Sequence, residues 1–275
     1  MGVDVFVFLS GFGLFYSLSS SNSIKQFYQK RFHRVLLPYL VWGLFFWIIK
    51  DFILTRKSFL IFLYDFSLLS FWGSGIQTFW YIAFISLLYV IAPLLFKATR
   101  TKNEAVLCTL ALSLVSVICY FLSKEYYSFL EIAFQRLPYF MIGMYCGKLA
   151  KGDRKISGKL IIVLSFSVPV KIVLGVMDFP FARLFNGYYA IFLIVLYILV
   201  RSKMGEKCQT AFLRLSKVGE ISLELYIVHI GIRNLMGTMQ LPTWNLFLYL
   251  SHLIVVVPLA LVLARIQDRE LLKLK

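Results

Sequence analysis

Long apolar segments recur along almost the whole chain, and they constrain its fold more than any other feature. A helix needs about 20 mostly apolar residues to cross the hydrocarbon core of a bilayer. Residues are 60% hydrophobic and only 15% charged, whereas soluble domains carry about 25% charged residues. We therefore expect an all-α fold, a polytopic membrane bundle that forms a single domain over residues 1–275. The nine predicted spans lie at about 3–19, 35–54, 78–96, 104–123, 129–149, 157–176, 184–201, 218–237 and 245–265.

The basic residues between these spans predict how the chain is oriented in the membrane. Of the 29 Lys and Arg residues, 21 lie on one side, five on the other and three within spans. Cytoplasmic loops carry an excess of Lys and Arg, so the net charge of +16 indicates orientation and not nucleic-acid binding. We expect a multi-pass protein of the cell (plasma or inner) membrane. The side predicted to be cytoplasmic comprises 20–34, 97–103, 148–159, 201–217 and the C-terminal tail.

Two segments need separate treatment under this topology. The stretch SFLIFLYDFSLLSFW (58–72) is apolar but short, and it carries Asp65. A span here would move every later loop to the opposite side and abolish the charge bias, so we expect it outside or re-entrant and packed on protein. The same topology places the N-terminus outside with an odd number of spans. We therefore expect one further helix to be encoded upstream of Met1.

Sequence motifs for soluble catalytic centres and metal sites are absent. The four cysteines at 108, 119, 146 and 208 show no CxxC spacing, and the three histidines at 33, 229 and 252 are scattered. Neither pattern predicts a disulfide framework or a zinc site. The sequence also lacks the phosphate-binding, dinucleotide-binding and nucleophile-elbow motifs. We expect no metal and no bound cofactor.

The eighth predicted span, GEISLELYIVHIGIRNLMG, contains the longest row of polar residues. Ser222, Tyr226, His229 and Arg233 follow one another at helical spacing and share one face. Ionisable groups within spans are costly and invite a functional interpretation. Two interpretations stay open: the row lines a cavity, or it hydrogen-bonds to neighbouring helices.

Further polar residues fall within or beside other spans. Glu131, Arg136 and Lys171 lie in the outer half of the membrane by this topology and either line a cavity or pair with one another. Asp4 either complements the positive end of its own helix or pairs with a residue of the further helix expected upstream. The GMYCG stretch (143–147) is a GxxxG motif and indicates helix packing.

A basic segment, FYQKRFHRVLLPYL (27–40), lies at the predicted cytoplasmic boundary just before the second span. It contains Lys30, Arg31 and Arg34, and the two arginines are i, i+3 neighbours. Paired guanidinium groups suit bidentate capture of phosphate. Spacing alone favours ordinary anchoring to anionic lipid, and both alternatives stay open.

Five stretches of this chain, taken together, resemble the acyltransferase-3 family of integral-membrane acyltransferases. The resemblance covers nearly the whole chain, with its stretches in register. They are GVDVFVFLSGFGLFYSL (2–18), FYQKRFHRVLLPYL (27–40), TFWYIAFISLLYVIAPLL (78–95), RLPYFMIGMYCGKL (136–149) and ISLELYIVHI (221–230).

The resemblance implies a bundle of about ten membrane helices that moves an acyl group, often acetyl, from cytoplasmic acyl-CoA to a saccharide hydroxyl. It implies that Lys30, Arg31 and Arg34 handle the donor. The family's essential histidine lies in a first helix, about ten residues after an arginine, and would act as general base. No residue here matches it, and His229 corresponds to a different, later feature. The residues expected to line the cavity are Asp4, Trp80, Tyr81, Arg136, Lys171, Tyr226, His229 and Arg233.

The resulting hypothesis is a membrane acyltransferase that acts on a cell-surface or lipid-linked saccharide. Its expected partners are membrane lipid, acyl-CoA as donor substrate and a saccharide acceptor, without nucleic acid. A glycan or lipid transporter and an inactive, truncated paralogue are the alternatives. We expect the upstream sequence to encode about 25–35 further residues, with the arginine and the histidine base, and the 275-residue chain alone to be inactive.

Overall fold

The computed structural model describes residues 2–21, 23–123, 126–152, 165–177, 182–203, 219–241 and 246–272. Within these ranges every regular element is a helix, which confirms the expected all-α fold. Only the backbone is described for helix residues 171, 182–184, 201–203, 246–252 and 269–272.

The described helices are numbered here in chain order. The second of them, α2, runs on without interruption into a π-helix (Ile48–Leu54), and a 3₁₀ turn (Ser128–Leu130) precedes α7. The helices are α1 (Gly2–Ser20), α2 (Ile24–Trp47), α3 (Phe59–Phe66), α4 (Leu69–Ser74), α5 (Trp80–Lys97), α6 (Lys102–Ser123), α7 (Glu131–Phe134), α8 (Leu137–Lys151), α9 (Ser167–Val176), α10 (Ala182–Lys203), α11 (Ser222–Thr238) and α12 (Leu246–Leu272).

Four of the described helices are long and apolar enough to cross a bilayer: Gly2–Ser20, Ile24–Leu54, Trp80–Lys97 and Lys102–Ser123. They contain or closely match the first four predicted spans, so a helical membrane bundle is confirmed. The second helix begins 11 residues before the predicted start of its span at 35. The reason is that the basic segment from residue 24 holds no helix breaker and continues the same helix.

The predicted fifth span, 129–149, is wrong in its first part. The chain there forms the 3₁₀ turn and the one-turn helix α7, and α8 begins only at Leu137. Pro138 stands in the first turn of α8, where its missing N–H is tolerated. The remaining predicted spans overlap α9 to α12, and residues 157–164 of the sixth lie outside the described residues.

The apolar stretch 58–72 forms two short helices, α3 and α4, each too short to cross a bilayer. Leu68 separates them in a left-handed conformation with φ of 65°, which breaks helical continuity. Asp65 is buried at the end of α3. This agrees with the expectation that the stretch does not span.

The chain divides into two compact units, and each is described by itself. One consists of Met1–Phe27 with Val90–Gln209, the other of Tyr28–Tyr89 with Thr210–Lys275. In the first unit α1 and α8 pack backbone to backbone. A Cβ atom at Gly11 would overlap the carbonyl oxygen of Phe140, and one at Gly143 would overlap that of Phe8. The GxxxG motif therefore serves helix packing, as predicted.

In the second unit an apolar cluster joins α11 and α12 to α2. Val228, Val256, Ala260 and Leu263 form its buried centre, and Trp42 packs against it. A second cluster is aromatic: the rings of Tyr39, Phe46 and Trp47 each meet Phe79 at steep angles. Edge-to-face contacts of this kind add to the burial of the rings. Together the two clusters hold α2 in place, and α2 carries the basic segment.

Candidate functional site

The basic segment lies on the second and third turns of α2, because that helix already begins at Ile24. Lys30 is exposed, while Arg31 and Arg34 are partly buried. Residues three apart share a helix face, so the two guanidinium groups emerge close together. The structure thus brings these three predicted donor residues into one helical segment within the second unit.

Arg34 binds residues from two other helical segments of the same unit. Its Nη2 donates to the carbonyl oxygen of Glu220 at 2.5 Å, and its Nη1 donates to Oε1 of Gln267. Nη1 also lies 3.4 Å from Oε1 of Glu224. In return, Nε2 of Gln267 donates to the backbone carbonyl of Arg34. Both Glu224 and Gln267 are completely buried, so the guanidinium of Arg34 is held by side chains that are shielded from solvent.

Arg31 has a different environment one turn earlier. Tyr89 and Arg34 lie near enough to its guanidinium to influence it electrostatically. Tyr89 also packs edge-on against Phe32, with ring centroids 6.3 Å apart. Arg34 faces a buried carboxylate, and Tyr89 and Arg34 are among the neighbours of Arg31.

The polar row predicted on the eighth span lies on α11, in the second unit. Tyr226 contacts the ring of Tyr81 edge to face, with centroids 5.4 Å apart. Within the row, His229 is half-buried and Arg233 is exposed in the isolated chain. That these two side chains face a cavity and not lipid stays a prediction.

Trp80 and Tyr81 begin α5 and are both nearly buried. The Trp80 ring lies 6.3 Å from Phe84 and 6.5 Å from Phe71. The contact between Tyr81 and Tyr226 places one end of α5 beside α11. Of the predicted cavity residues, the structure therefore brings this pair into direct contact.

In the first unit, Asp4 pairs with Arg136. Asp4 Oδ1 lies 2.9 Å from Arg136 Nε, and the two side chains are 0% and 10% exposed. Arg136 also donates to the carbonyl oxygen of Ile132 through Nη1. Asp4 thus pairs within this chain with Arg136, a partner that the sequence analysis did not name, and its place in the first turn of α1 also suits the helix dipole.

Glu131 accepts a hydrogen bond of 2.7 Å from Nε2 of Gln135, one turn later. Lys171, the third residue of the predicted outer group, lies in α9, but its side chain is outside the described residues. Arg136 thus has a partner on a distant helix, Asp4, and its pairing with Glu131 or Lys171 stays a prediction.

A cluster that the sequence analysis missed surrounds Lys57, in the turn that follows the π-helix. Its Nζ lies 3.1 Å from Oδ1 of Asp51 and 2.9 Å from Oδ2 of Asp65, and both carboxylates are completely buried. Burial alone would lower the pKa of Lys57, but the hydrogen bonds to Asp65 and Asp51 raise it above the ordinary lysine value. The lysine therefore balances the charge of two buried aspartates.

Glu224 and Gln267 were also missed, although one signal pointed to the former. Glu224 and Asp51 are acidic residues inside predicted spans, where an ionisable group needs a partner. Gln267 gave no such signal, because a glutamine near a helix end that is predicted to be cytoplasmic is ordinary. Their partners could not be inferred from spacing.

The chemistry open to these residues is the binding of anions by the basic segment. Within the described part of the chain, no group of three or more His, Cys, Asp or Glu residues could hold a metal ion. No described residue is assigned as a catalytic base. The basic segment on α2 therefore offers the clearest candidate site for an anionic ligand.

Comparison with protein families gives one match. A family model for an acyltransferase domain, of the acyltransferase-3 type, matches residues 1–265. No curated protein and no solved structure matches the chain. The family match covers nearly the entire chain, including both arginines of the basic segment and the Asp4–Arg136 pair.

Proposed function

Because the chain belongs to the acyltransferase-3 family of membrane acyltransferases, we propose that it transfers an acyl group, in the first instance acetyl, from cytoplasmic acyl-CoA. The acceptor is a hydroxyl group of a cell-surface or lipid-linked saccharide. The observation that carries this proposal is the family match over residues 1–265. Acyl-CoA is a substrate here, and no resident cofactor is needed.

The donor side of the proposal rests on the basic segment of α2. CoA is rich in phosphate, and arginine binds phosphate through paired N–H groups in a fixed plane. Lys30 and Arg31 lie on the turn of α2 that topology predicts at the cytoplasmic boundary, where soluble acyl-CoA arrives. Their position supports binding of the nucleotide end of the donor.

The reaction itself needs a base at the acceptor. The base takes the proton of the saccharide hydroxyl while the hydroxyl oxygen attacks the thioester carbonyl. The C–S bond then breaks and releases CoA as its thiolate. The thiolate of CoA then takes up the proton, so the products are an ester and free CoA. No residue of these 275 matches the family's essential histidine, so the role of base is assigned to none of them.

The proposed location is the cell membrane, with the C-terminus and the basic loops in the cytoplasm. Acyl-CoA stays on the cytoplasmic side, whereas cell-surface saccharides are outside. The acyl group must therefore pass through the bundle, and the polar residues on α5 and α11 are candidates to line that passage. Tyr81 and Tyr226, which are in contact, belong to this set.

The experiment uses membranes from cells that express the gene at its native locus. Membranes are incubated with acetyl-CoA labelled in the acetyl group, and both free CoA thiol and label in the saccharide fraction are followed. We expect thiol release that depends on the protein, together with alkali-labile label in the saccharide. Membranes from a deletion strain are the control.

A different result would contradict the proposal. If acetyl-CoA and longer acyl-CoA donors all remain intact while labelled glycan or lipid crosses the membrane, the protein is a transporter. If neither acyl transfer nor transport depends on the protein, it is an inactive member of the family.

A further inference from the structure

We propose that Arg34 is not a ligand of the donor but a positioning residue, which fixes α2 so that Arg31 can bind the donor phosphate. The part that concerns Arg34 rests on its contacts alone. The part that concerns Arg31 rests on the proposed function. Arg31 and Arg34, which the sequence presents as an equivalent pair, therefore have different roles.

The guanidinium of Arg34 is already bound to acceptors of the protein itself. It donates to Glu220, which precedes α11, and to Gln267, on α12. Gln267 donates back to the main chain of Arg34, so this contact fixes the backbone of α2 as well as the side chain. Arg34 therefore ties α2 to two later helical segments more than 180 residues away in sequence.

The same guanidinium also faces a negative charge. Glu224 is completely buried, and Nη1 of Arg34 lies 3.4 Å from its carboxylate. Removing the cation from a buried ion pair strongly destabilises the folded protein, because the carboxylate stays buried and charged. A phosphate group approaching Arg34 would have to compete with this carboxylate and would meet its negative charge. Arg34 is consequently a poor phosphate ligand but an effective partner for Glu224.

Arg31 lies one turn earlier on α2 and is only partly buried, and exposed Lys30 is adjacent to it on the helix. Lys30 and Arg31 together attract a phosphate group, whereas the charge of Arg34 is compensated by Glu224. Arg31 and Lys30 therefore present the cationic surface, while Arg34 determines where that surface lies.

The test is a rescue experiment on the protein expressed from its native locus and purified in detergent. Thermal unfolding and affinity for CoA are measured for Arg34→Met, Glu224→Gln and the double variant. Arg34→Met should lower both the unfolding temperature and the affinity, because it leaves Glu224 charged without this cation. Glu224→Gln in the same chain removes that charge, so the double variant should recover much of both properties, and the remaining loss measures the missing hydrogen bonds to Glu220 and Gln267.

Arg31→Ala is the matched comparison from the same helix. It should weaken CoA binding about tenfold or more, as expected for the loss of a charged hydrogen bond, and adding Glu224→Gln should not restore that affinity. Arg34→Lys keeps the charge but not the planar fork, and should lie between wild type and Arg34→Met in stability. This conservative variant remains measurable if Arg34→Met fails to fold.

Two results would overturn the inference. One is an Arg34→Met or Arg34→Lys variant as stable as wild type but weak in CoA binding, which identifies Arg34 as a direct ligand. The other is a double variant whose stability recovers while its CoA affinity stays low. If wild type itself does not bind CoA, the proposed donor is wrong, but the recovery of stability by Glu224→Gln still decides the role of Arg34.

Discussion

Asp4 Oδ1 lies 2.9 Å from Arg136 Nε, so the first turn of α1 is ion-paired with the residue that precedes α8. The same two helices meet through glycines a few turns further along. One contact is ionic and the other is close packing of backbones. Both hold the same pair of helices, and both can be tested separately.

Removing the charge of Asp4 should destabilise the protein. Asp4→Ala leaves the nearly buried Arg136 without its carboxylate, and breaking a buried pair from one side costs about 3–5 kcal/mol. Thermal or denaturant unfolding in detergent micelles measures the loss. Glu104→Gln, a change at an exposed acidic residue of the same unit, is the control and should have little effect. Equal stability of Asp4→Ala and wild type would mean that Arg136 gains another partner.

Two glycines on α1 should differ sharply in their tolerance of alanine. A Cβ at Gly11 would overlap the Phe140 carbonyl, whereas one at Gly13 would meet nothing within 4 Å. Gly11→Ala should therefore lower the unfolding temperature by separating α1 from α8. Gly13→Ala should leave it unchanged or raise it slightly, because alanine favours a helix by about 1 kcal/mol over glycine. The prediction fails if the two variants behave alike.

The Lys57 cluster should make stability depend on alkaline pH. The pKa of Lys57 is raised above 10.5 in the folded protein by Asp65 and Asp51, against the effect of burial. A group with a raised pKa stabilises fully below its unfolded value, and this contribution is lost as pH rises through the folded pKa. We expect the unfolding temperature to fall more steeply above about pH 10.5 in wild type than in Lys57→Arg, since arginine keeps its proton there.

A parallel decline of wild type and Lys57→Arg with pH would show that other groups cause it. Lys57→Met serves as the second comparison at neutral pH. It leaves both buried carboxylates unpaired and should be markedly less stable than Lys57→Arg.

The orientation of the chain can be tested by labelling single cysteines in a background without the native ones. Position 102 belongs to a loop predicted to be cytoplasmic from its positive charge, and position 126 lies on the predicted outer side. Both residues are exposed, so access to reagent depends on the membrane and not on burial. Lys102→Cys should react only after permeabilisation, and Tyr126→Cys should react in intact cells. The reverse pattern would invert the topology.

The helices that the structure contains were largely predictable, because hydropathy is a local property. A run such as 78–96 or 104–123 needs lipid around it whatever it packs against, and α5 and α6 match these runs closely. The GxxxG motif at 143–147 likewise predicted close packing from small residues alone. The first four spans, the all-α fold and the position of the basic segment before the second span could all be predicted from the order and composition of the residues.

The break before α8 could not be predicted from local hydropathy. The stretch 129–149 has enough apolar residues for a span, yet α8 begins only at Leu137, with Arg136 at its N-cap. A hydropathy average over the stretch does not detect such a boundary. Proline alone does not mark it either, since α2, α5 and α12 continue through Pro38, Pro93 and Pro258.

The partners of the charged residues were decided by tertiary structure alone. Asp4 and Arg136 lie on different helices, and Arg34 reaches Gln267 across 233 positions of the chain. The sequence identified several of these residues as polar groups needing a partner in an apolar environment. It could not identify the partners, since helix packing brings side chains within hydrogen-bonding distance irrespective of their separation in sequence. Composition thus determined that charges would have to be paired, and the packing of the helices determined which charge meets which.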